Sequence, residues 1–401
     1  MLKSEIEHTI DAQAADLASD LGMQRDGLEN LPVEKRFATI ITGVRRCGKS
    51  TLLRQWAAST DLAVMPVLFD DFRMLDFTEK DFSLLGKIIE ERKPGAILLD
   101  EIQNIPGWEN FVSGLLMRSF KVFVTGSNAK MLSAELGTKL TGRHLDYRLS
   151  PFSYREFIRF CHSENTRESL DHYLLQGGFP AYVESGKRQI IEELFNDIIY
   201  RDVISRYHIQ NTLPVKQLAA YLLNHIGTRL APSRLKDAIH VQSAKTVLEY
   251  FDHLTECCLI ERLEQWAESP KARLLAQKKV YACDTGLVSA FEHNPGQNLG
   301  HKLENVVFQF LRQSAADLTY YRAPDGKECD FLLERQDGTR EAVQVAYDLS
   351  DDNREREFSG LLAALSRFNL RQGTIVTAGQ KDSANLDGYE ISIVPATEFL
   401  T

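Results

Sequence analysis

Apolar residues along this chain change period at definite places. Residues 38–42, ATIIT, are apolar or β-branched without a break. So short a run, closed by a glycine, predicts a buried strand. The segment that follows, STLLRQWAA from Ser50, spaces its apolar residues along one face of a helix. A second run, Ala96 to Leu99, ends in Asp100–Glu101. A third, VFV at 122–124, ends in Thr125, Ser127 and Asn128. Strands alternating with helical segments predict an α/β domain in this first part of the chain.

Residues 211–283 read as three helices and then two strands. PVKQLAAYLLNHIG is periodic and stops at a glycine, and APSRLKDAIH is a short helix. A third helix starts after Ser243 as its cap, with Val247, Leu248, Phe251 and Leu254 expected on one face. LIERLEQWA and KKVYACD are strand-like. Further on, residues 300–313 form an amphipathic helix carrying Glu304. A hairpin follows, with Asp330 on its first strand, a turn at Asp337–Gly338 and a second strand from Arg340. The charged stretch 348–357 predicts a solvated helix start.

Composition narrows the class. A chain of 401 residues, 43% hydrophobic and 26% charged, suits a soluble protein of two to four domains. The net charge of −9 excludes a wholly basic surface, so any nucleic-acid contact must be local. The six cysteines show no CxxC spacing, and Cys257 and Cys258 are adjacent, poor geometry for a disulfide. Reduced thiols in a cytoplasmic setting are expected. No secretory leader and no membrane-length apolar run is read, so no membrane partner is expected.

The strongest chemical signal lies between the first strand and its helix. Gly43, Val44, Arg45, Arg46, Cys47, Gly48, Lys49 and Ser50 fit the phosphate-loop pattern G-x-x-x-x-G-K-S in full. Glycines let backbone N–H groups turn inward around phosphate oxygens. Lys49 reaches the outer phosphates as a point charge, and the Ser50 hydroxyl is placed to ligate Mg²⁺. Thr51 closes the ATP-contacting stretch and is expected to pack in the helix. Arg45 and Arg46 add charge that the pattern does not require. Asp100 is expected to hold the Mg²⁺ water shell, and Glu101 to orient or deprotonate the attacking water. Asn128 is expected to hold that water against the γ-phosphate, the sensor position of AAA-type ATPases; the alternative is a cap or turn residue. Arg143 follows a short helix expected before it. It is expected either to reach a neighbouring subunit's γ-phosphate or to pair on the surface with Asp146.

With these residues in hand, the chain resembles the bacterial and archaeal AAA-type ATPases with a GxRRxGKST loop and a C-terminal domain of unknown function. The matching pieces are GVRRCGKSTLL, ILLDEIQNI, VFVTGSNAKML, LTGRHLDYRLSPFSYREF, LLQGGFPAYV, YRDVISRY and the run from GHKLENVVFQFLR to AVQVAYDLS. The resemblance implies a P-loop NTPase core of the AAA-like type at 31–160, behind an N-terminal helical segment at 1–30. It implies a helical lid at 161–210, turned at QGGFP. Arg201 is a lid candidate, with a local acid as its alternative partner.

Two further modules complete the expected α/β architecture. The element order of 211–283 resembles a winged helix, and Lys245, Arg273 and Lys279 are its candidate DNA contacts. Winged helices also bind protein. Residues 284–401 resemble a restriction-endonuclease-like domain, with Glu304 on the helix and Asp330 on the strand. Where that fold carries Glu-x-Lys, this chain has Gln344-Val345-Ala346, so nuclease activity is not expected. The expectation is a cytoplasmic, Mg²⁺-dependent ATPase that couples turnover to DNA binding, remodelling or translocation. Its partners are ATP, DNA and copies of itself, with a hexameric ring favoured. The alternatives are an ATP-dependent switch that binds protein, and an active nuclease with Lys327 as a displaced lysine.

Overall fold

The computed structural model describes residues 1–17, 19, 21–34, 36–128, 142–292, 294 and 296–401. It divides into two compact units, Met1–Ser150 with Glu256–Cys258, and Pro151–Thr255 with Leu259–Thr401.

The first unit runs α1 (Lys3–Leu17), β1 (Ala38–Thr42), α2 (Lys49–Ser59), β2 (Val64–Leu68), α3 (Phe82–Arg92), β3 (Ala96–Asp100), α4 (Trp108–Met117), β4 (Val122–Gly126) and β5 (His144–Arg148). Among the described residues these strands form one parallel sheet in the order β2–β3–β4–β1–β5. A parallel sheet is covered on both faces, so its central strands are apolar throughout rather than alternating. Every residue of β1, β3 and β4 is buried. The order matters for chemistry. With β4 between β1 and β3, the tip of β4 stands between the loop after β1 and the carboxylates that close β3.

Residues 1–30, expected as a segment of their own, share this unit's core. Ile6 and Ile10 of α1 are buried with Val67, Ile88 and Ile97. Gln13 donates to Leu68 O at 3.1 Å and accepts from Leu68 N at 3.0 Å. Its amide thus does for the edge strand β2 what a neighbouring strand would.

The second unit opens with α5 (Tyr154–Phe160), α6 (Arg167–Gln176), α7 (Pro180–Ser185) and α8 (Arg188–Asp197), which continues as a π-helical stretch, Ile198–Ser205. Next come α9 (Thr212–Leu223), β6 (Arg229–Leu230), α10 (Pro232–Ala238), α11 (Ala244–Glu256), β7 (Ile260–Gln265), α12 (Pro270–Leu275), β8 (Lys278–Ala282) and α13 (Thr285–Phe291). The chain ends with α14 (Leu299–Ser314), β9 (Asp317–Arg322), β10 (Glu328–Glu334), β11 (Arg340–Val345), α15 (Asp351–Phe368), β12 (Gln372–Thr377), β13 (Asp382–Leu386), β14 (Tyr389–Pro395) and α16 (Ala396–Phe399).

Among the described residues these nine strands form one sheet, ordered β13–β14–β12–β11–β10–β9–β7–β8–β6. β7 pairs antiparallel with β8 and parallel with β9, through Glu264↔Thr319 and Gln265↔Tyr320. The sheet therefore crosses the division expected at 283. Strands from 211–283 and from 284–401 are one hydrogen-bonded layer. The helices expected as a lid at 161–210 belong to the same unit. The QGGFP turn is tied down where Gly178 N–H donates to Asp284 Oδ2 at 2.6 Å. Asp284 Oδ1 accepts from Gly286 N at 2.8 Å and caps α13. Burial pushes the Asp284 carboxyl up to about 6, against the pull of those backbone donors.

Two details of the middle region differ from the pattern reading. β6 has two residues, too few to show a period, and α12 is inserted between the two expected strands. α11 starts as expected, with Thr246 N donating to Ser243 Oγ at 3.1 Å. Val247, Phe251 and Leu254 are buried, but Leu248 is 46% exposed. One residue on from Val247, it is turned about 100° around the helix. No described helix is long and apolar enough to cross a membrane.

Candidate functional site

The loop from Gly43 to Gly48 leaves the end of β1 and enters α2, whose first residues are Lys49 and Ser50. The glycines are required by contact. A Cβ on Gly43 would stand 2.2 Å from Leu149 O and 2.9 Å from Cys47 Sγ. Gly48 has φ +105°, and a Cβ there would meet Arg25 Nη1 at 2.8 Å. Val44 and Cys47 are buried, Arg45, Ser50 and Thr51 half-buried, and Arg46 exposed in the left-handed region at φ 61°. Lys49 is buried, and its Nζ donates to Gly43 O at 3.0 Å and Val44 O at 3.3 Å. Burial works against its charge. The charges around it, with Cys47, Glu101 and Asp100 foremost, outweigh that and hold its pKa above the ordinary value.

β3 brings the two acids to the same place. Ser50 Oγ donates to Asp100 Oδ2 at 2.7 Å, and Glu101 Oε1 stands 3.7 Å from Lys49 Nζ. Asp100 is raised above the usual carboxylate range, first by burial and then by the Glu101 charge. Glu101 sits in the left-handed region at φ 53° and ψ 37°. That conformation costs a non-glycine residue about 1–2 kcal/mol and turns the chain sharply after Asp100. Thr125 of β4 joins the acids. Its hydroxyl donates to Asp100 Oδ1 and accepts from Glu101 N at 3.0 Å. Gln103 Nε2 donates to Glu101 Oε2. Asn128 is buried two residues beyond the end of β4. The short helix expected before Arg143 lies outside the described residues.

The donor set fits a hard divalent cation. Two oxygens, one hydroxyl and one carboxylate, already touch, and the loop whose Gly43 and Gly48 have no room for a Cβ stands beside them.

Pattern reading missed Arg25. It is buried, its Nη1 donates to Cys47 O and its Nη2 to Ser150 O, each at 2.8 Å. Its own N–H donates to Gln55 Oε1 at 3.0 Å, and Gln55 Nε2 donates to Leu21 O and Met23 O, both at 2.7 Å. One guanidinium thus braces the phosphate loop, and Gln55 of α2 holds the segment that carries it. A lone arginine in a loop gives no local signal.

Arg143 lies elsewhere in this unit. It precedes β5, and its carbonyl accepts from Ala38 N at 3.1 Å, at the start of β1. Five residues of strand at about 3.3 Å each separate that end of the sheet from the loop. The side chain is exposed. Arg201 stands 3.8 Å from Asp197.

The second unit corrects several expectations. Lys279, expected on a DNA-facing surface, is 3% exposed and stands 2.8 Å from Asp330 Oδ1 and 3.0 Å from both Glu304 Oε1 and Glu328 Oε1. It lies on the face of β8 that α14 covers, where Glu304 of that helix meets it, while Lys278 takes the other face toward Glu264. Arg273 is bound to Glu264 at 2.6 Å and to Asp317 at 2.8 Å. Of the three candidates only Lys245 is well exposed, 3.7 Å from Glu249. Glu304 and Asp330 do meet, but around an ammonium. Burial resists the Lys279 charge, and Asp330 and Glu304 overcome it, raising its pKa well above the ordinary value. Gln344 accepts from Asp330 N at 3.1 Å and donates to Glu357 Oε2 at 2.6 Å, so both ends of its amide are engaged. Glu357, expected in a solvated stretch, is buried. It shares a helix face with Leu361 and Leu365, a spacing that could have revealed it. Lys327 is half-exposed and pairs with Asp325 at 3.0 Å.

The N-terminal site lies within residues 35–158, which match the family model described as AAA domain. Residues 167–298 and 299–399 match two domains of unknown function, DUF8612 and DUF4143. An uncharacterized protein of Haemophilus influenzae is 28% identical over 89% of this chain and 93% of its own. One of Methanocaldococcus jannaschii is 29% identical over 82% of this chain and 79% of its own. Among solved structures, a Walker-type ATPase of Pyrococcus abyssi aligns with 66% of this chain and 92% of its own, at 16% identity and a TM-score of 0.43. AMPPCP-bound DnaA from Aquifex aeolicus aligns with 62% and 88%, at 14% identity and a TM-score of 0.28. The AAA-domain match falls on the residues that form the phosphate loop and its acids, and it supports an AAA-type ATPase in this part of the chain.

Proposed function

We propose that the first unit hydrolyses ATP with Mg²⁺, and that the observation carrying this is the Ser50–Asp100 contact at 2.7 Å beside Lys49 and Glu101. The N–H groups of residues 43–50 bind phosphate oxygens, and Lys49 exchanges its loop carbonyls for the outer phosphates. Ser50 and Asp100 would hold Mg²⁺, which supplies charge neutralisation between the phosphates. Glu101 takes the proton of the attacking water at its carboxylate. Thr125 fixes the backbone turn that aims Glu101, and Asn128 orients the water. Arg143, at the far end of β1 from the loop, acts on the nucleotide of a second copy, which makes the protein an oligomer, with a ring of six favoured.

The order α9, β6, α10, α11, β7, β8 supports the winged-helix reading of 211–283. The helix–hairpin arrangement of Glu304 and Asp330 supports a nuclease-like scaffold without cleavage. Coupling of turnover to DNA rests on these two modules. Phosphate release measured with Mg²⁺ and with EDTA, in wild type and Lys49→Ala, tests the ATPase. The expected result is turnover in the first condition alone, and turnover that survives Lys49→Ala contradicts it. The rate with and without single-stranded, duplex and branched DNA tests the coupling, and a rate that no DNA changes contradicts it.

A further inference from the structure

Three guanidinium groups line one cavity of the second unit, about 650 Å³ in volume. Arg229 belongs to β6, Arg234 to α10 and Arg322 to the end of β9. The cavity has a single lining carboxylate, Glu328, already held on both sides. Its Oε2 stands 3.5 Å from Arg229 Nε and its Oε1 3.0 Å from Lys279 Nζ. Arg229 and Lys279 are cross-strand partners in the β6–β8 ladder, so the same backbone register presents both cations to Glu328. Arg234 and Arg322 are exposed and make no ion pair among the described residues. In a chain with net charge −9, two arginines without a carboxylate on one cavity are not explained by pairing within the fold.

The remaining wall mixes polar and apolar groups, with Thr228 and Gln277 beside Tyr221, Leu230 and Leu235. Tyr221 is backed by His225, with ring centroids 3.9 Å apart and planes 13° apart, and buried Leu235 also lines the cavity. A guanidinium presents a planar fork of donors that matches phosphate oxygens two at a time. A volume of this size takes a ligand of nucleotide dimensions, and Tyr221 is the aromatic side chain on its lining that can meet a flat ring.

We propose that this cavity binds a phosphate ester with a flat ring attached, the chemistry of a nucleotide, either free or within a nucleic-acid strand. Arg234 and Arg322 grip the phosphate, Arg229 is held ready by Glu328, and the Tyr221 side receives the base. The site uses no residue of the phosphate loop, so its failure leaves the ATPase reading standing.

The test uses the full chain with Lys49→Ala, so that the phosphate loop does not contribute. A fluorescein-labelled single-stranded DNA oligonucleotide is titrated by anisotropy, and adenosine monophosphate by calorimetry. The charge reversal Arg234→Glu with Arg322→Glu alters two exposed side chains that hold nothing in the fold. The expected result is binding of at least one probe, weakened tenfold or more by the double reversal. Arg322→Gln alone, the milder variant should the reversal unfold the chain, weakens it about threefold. Binding of the oligonucleotide alone identifies a strand as the source, and its log–log salt slope then flattens by about 1.4, for two phosphates at ~0.7 each. Binding of the monophosphate identifies a free nucleotide. The proposal fails if neither probe binds, or if every probe that binds the parent binds these variants as tightly.

Discussion

Lys279 donates to Asp330 at 2.8 Å, from β8 to β10 of one sheet. The same ammonium donates to Glu304 at 3.0 Å, so a single lysine stands where two carboxylates would otherwise face each other. Removing one partner of a buried ion pair leaves an uncompensated charge and costs about 3–5 kcal/mol. Lys279→Met is therefore expected to destabilise the second unit by roughly that amount in denaturant titration. Lys279→Met with Asp330→Asn should recover part of it, because one of the stranded charges is gone. Equal stability of Lys279→Met and wild type contradicts this arrangement. Wild-type protein is expected to cleave no DNA with Mg²⁺ or Mn²⁺, since the place between the acids is taken by the ammonium.

The same cluster predicts how stability follows pH. Burial raises the Asp330 carboxyl, and the Glu304 charge raises it further, to about 7. Its folded value lies above the unfolded one, so the folded state binds the extra proton between about 4 and 7, and stability falls as pH rises through that window. Glu304 moves the other way. Burial opposes its charge, but Lys279 holds it down at about 2. Its contribution is present above the unfolded value near 4.5 and is lost as pH falls toward 2. Asp330→Asn should shrink the decline between pH 4 and 7, leaving the share of Asp284, which burial raises to about 6, and keep the acid limb. A decline of unchanged size in Asp330→Asn assigns it to other groups.

Arg25 gives a prediction about nucleotide binding. Its two forks hold Cys47 O and Ser150 O, so the loop's backbone is braced from behind. Hydrogen bonds to a charged group are worth about 1.5–3 kcal/mol each. Arg25→Ala should raise the KM for ATP about tenfold or more while changing kcat less. Arg25→Lys should not restore it, because an ammonium cannot span both carbonyls. A loss confined to kcat would falsify the bracing role.

Arg143 predicts behaviour that depends on assembly. If it serves a neighbouring copy's nucleotide, specific activity rises with protein concentration. Mixing Arg143→Ala with Lys49→Ala should restore part of the activity, since the mixture contains interfaces with an intact loop facing an intact arginine. Full activity at every concentration in a monomer, or a mixture as inactive as its components, contradicts action between copies.

Much of the first site was legible because its signals are contiguous. The run ATIIT, the loop to Ser50 and the helix after it are consecutive, and AILL ends directly in Asp100–Glu101. What was not legible depends on pairing between distant segments. The parallel β7–β9 ladder joins two regions that periodicity separates, and so the boundary expected at 283 does not divide the sheet. From sequence Lys279 reads as a surface cation, since a lysine in a strand of mixed character carries no sign of which face is covered. Its partners come from α14 and β10. Arg25 stands in a loop without period, and its acceptors are main-chain oxygens that no sequence displays. Glu357 was within reach, for the apolar residues four and eight positions later place it on the covered face of α15.

The most direct measurement of the central claim is a single-turnover ATP hydrolysis assay on Glu101→Gln, paired with nucleotide binding on the same protein. The amide keeps the size of the side chain and removes the group that accepts the proton. Binding should stay near the wild-type value, because Lys49, Ser50 and Asp100 are untouched. Hydrolysis should slow by roughly 10²–10⁴-fold. Glu101→Gln that binds ATP and turns it over at close to the wild-type rate would contradict the account, since the residue held by Thr125 and set beside Lys49 would then have no part in the chemistry.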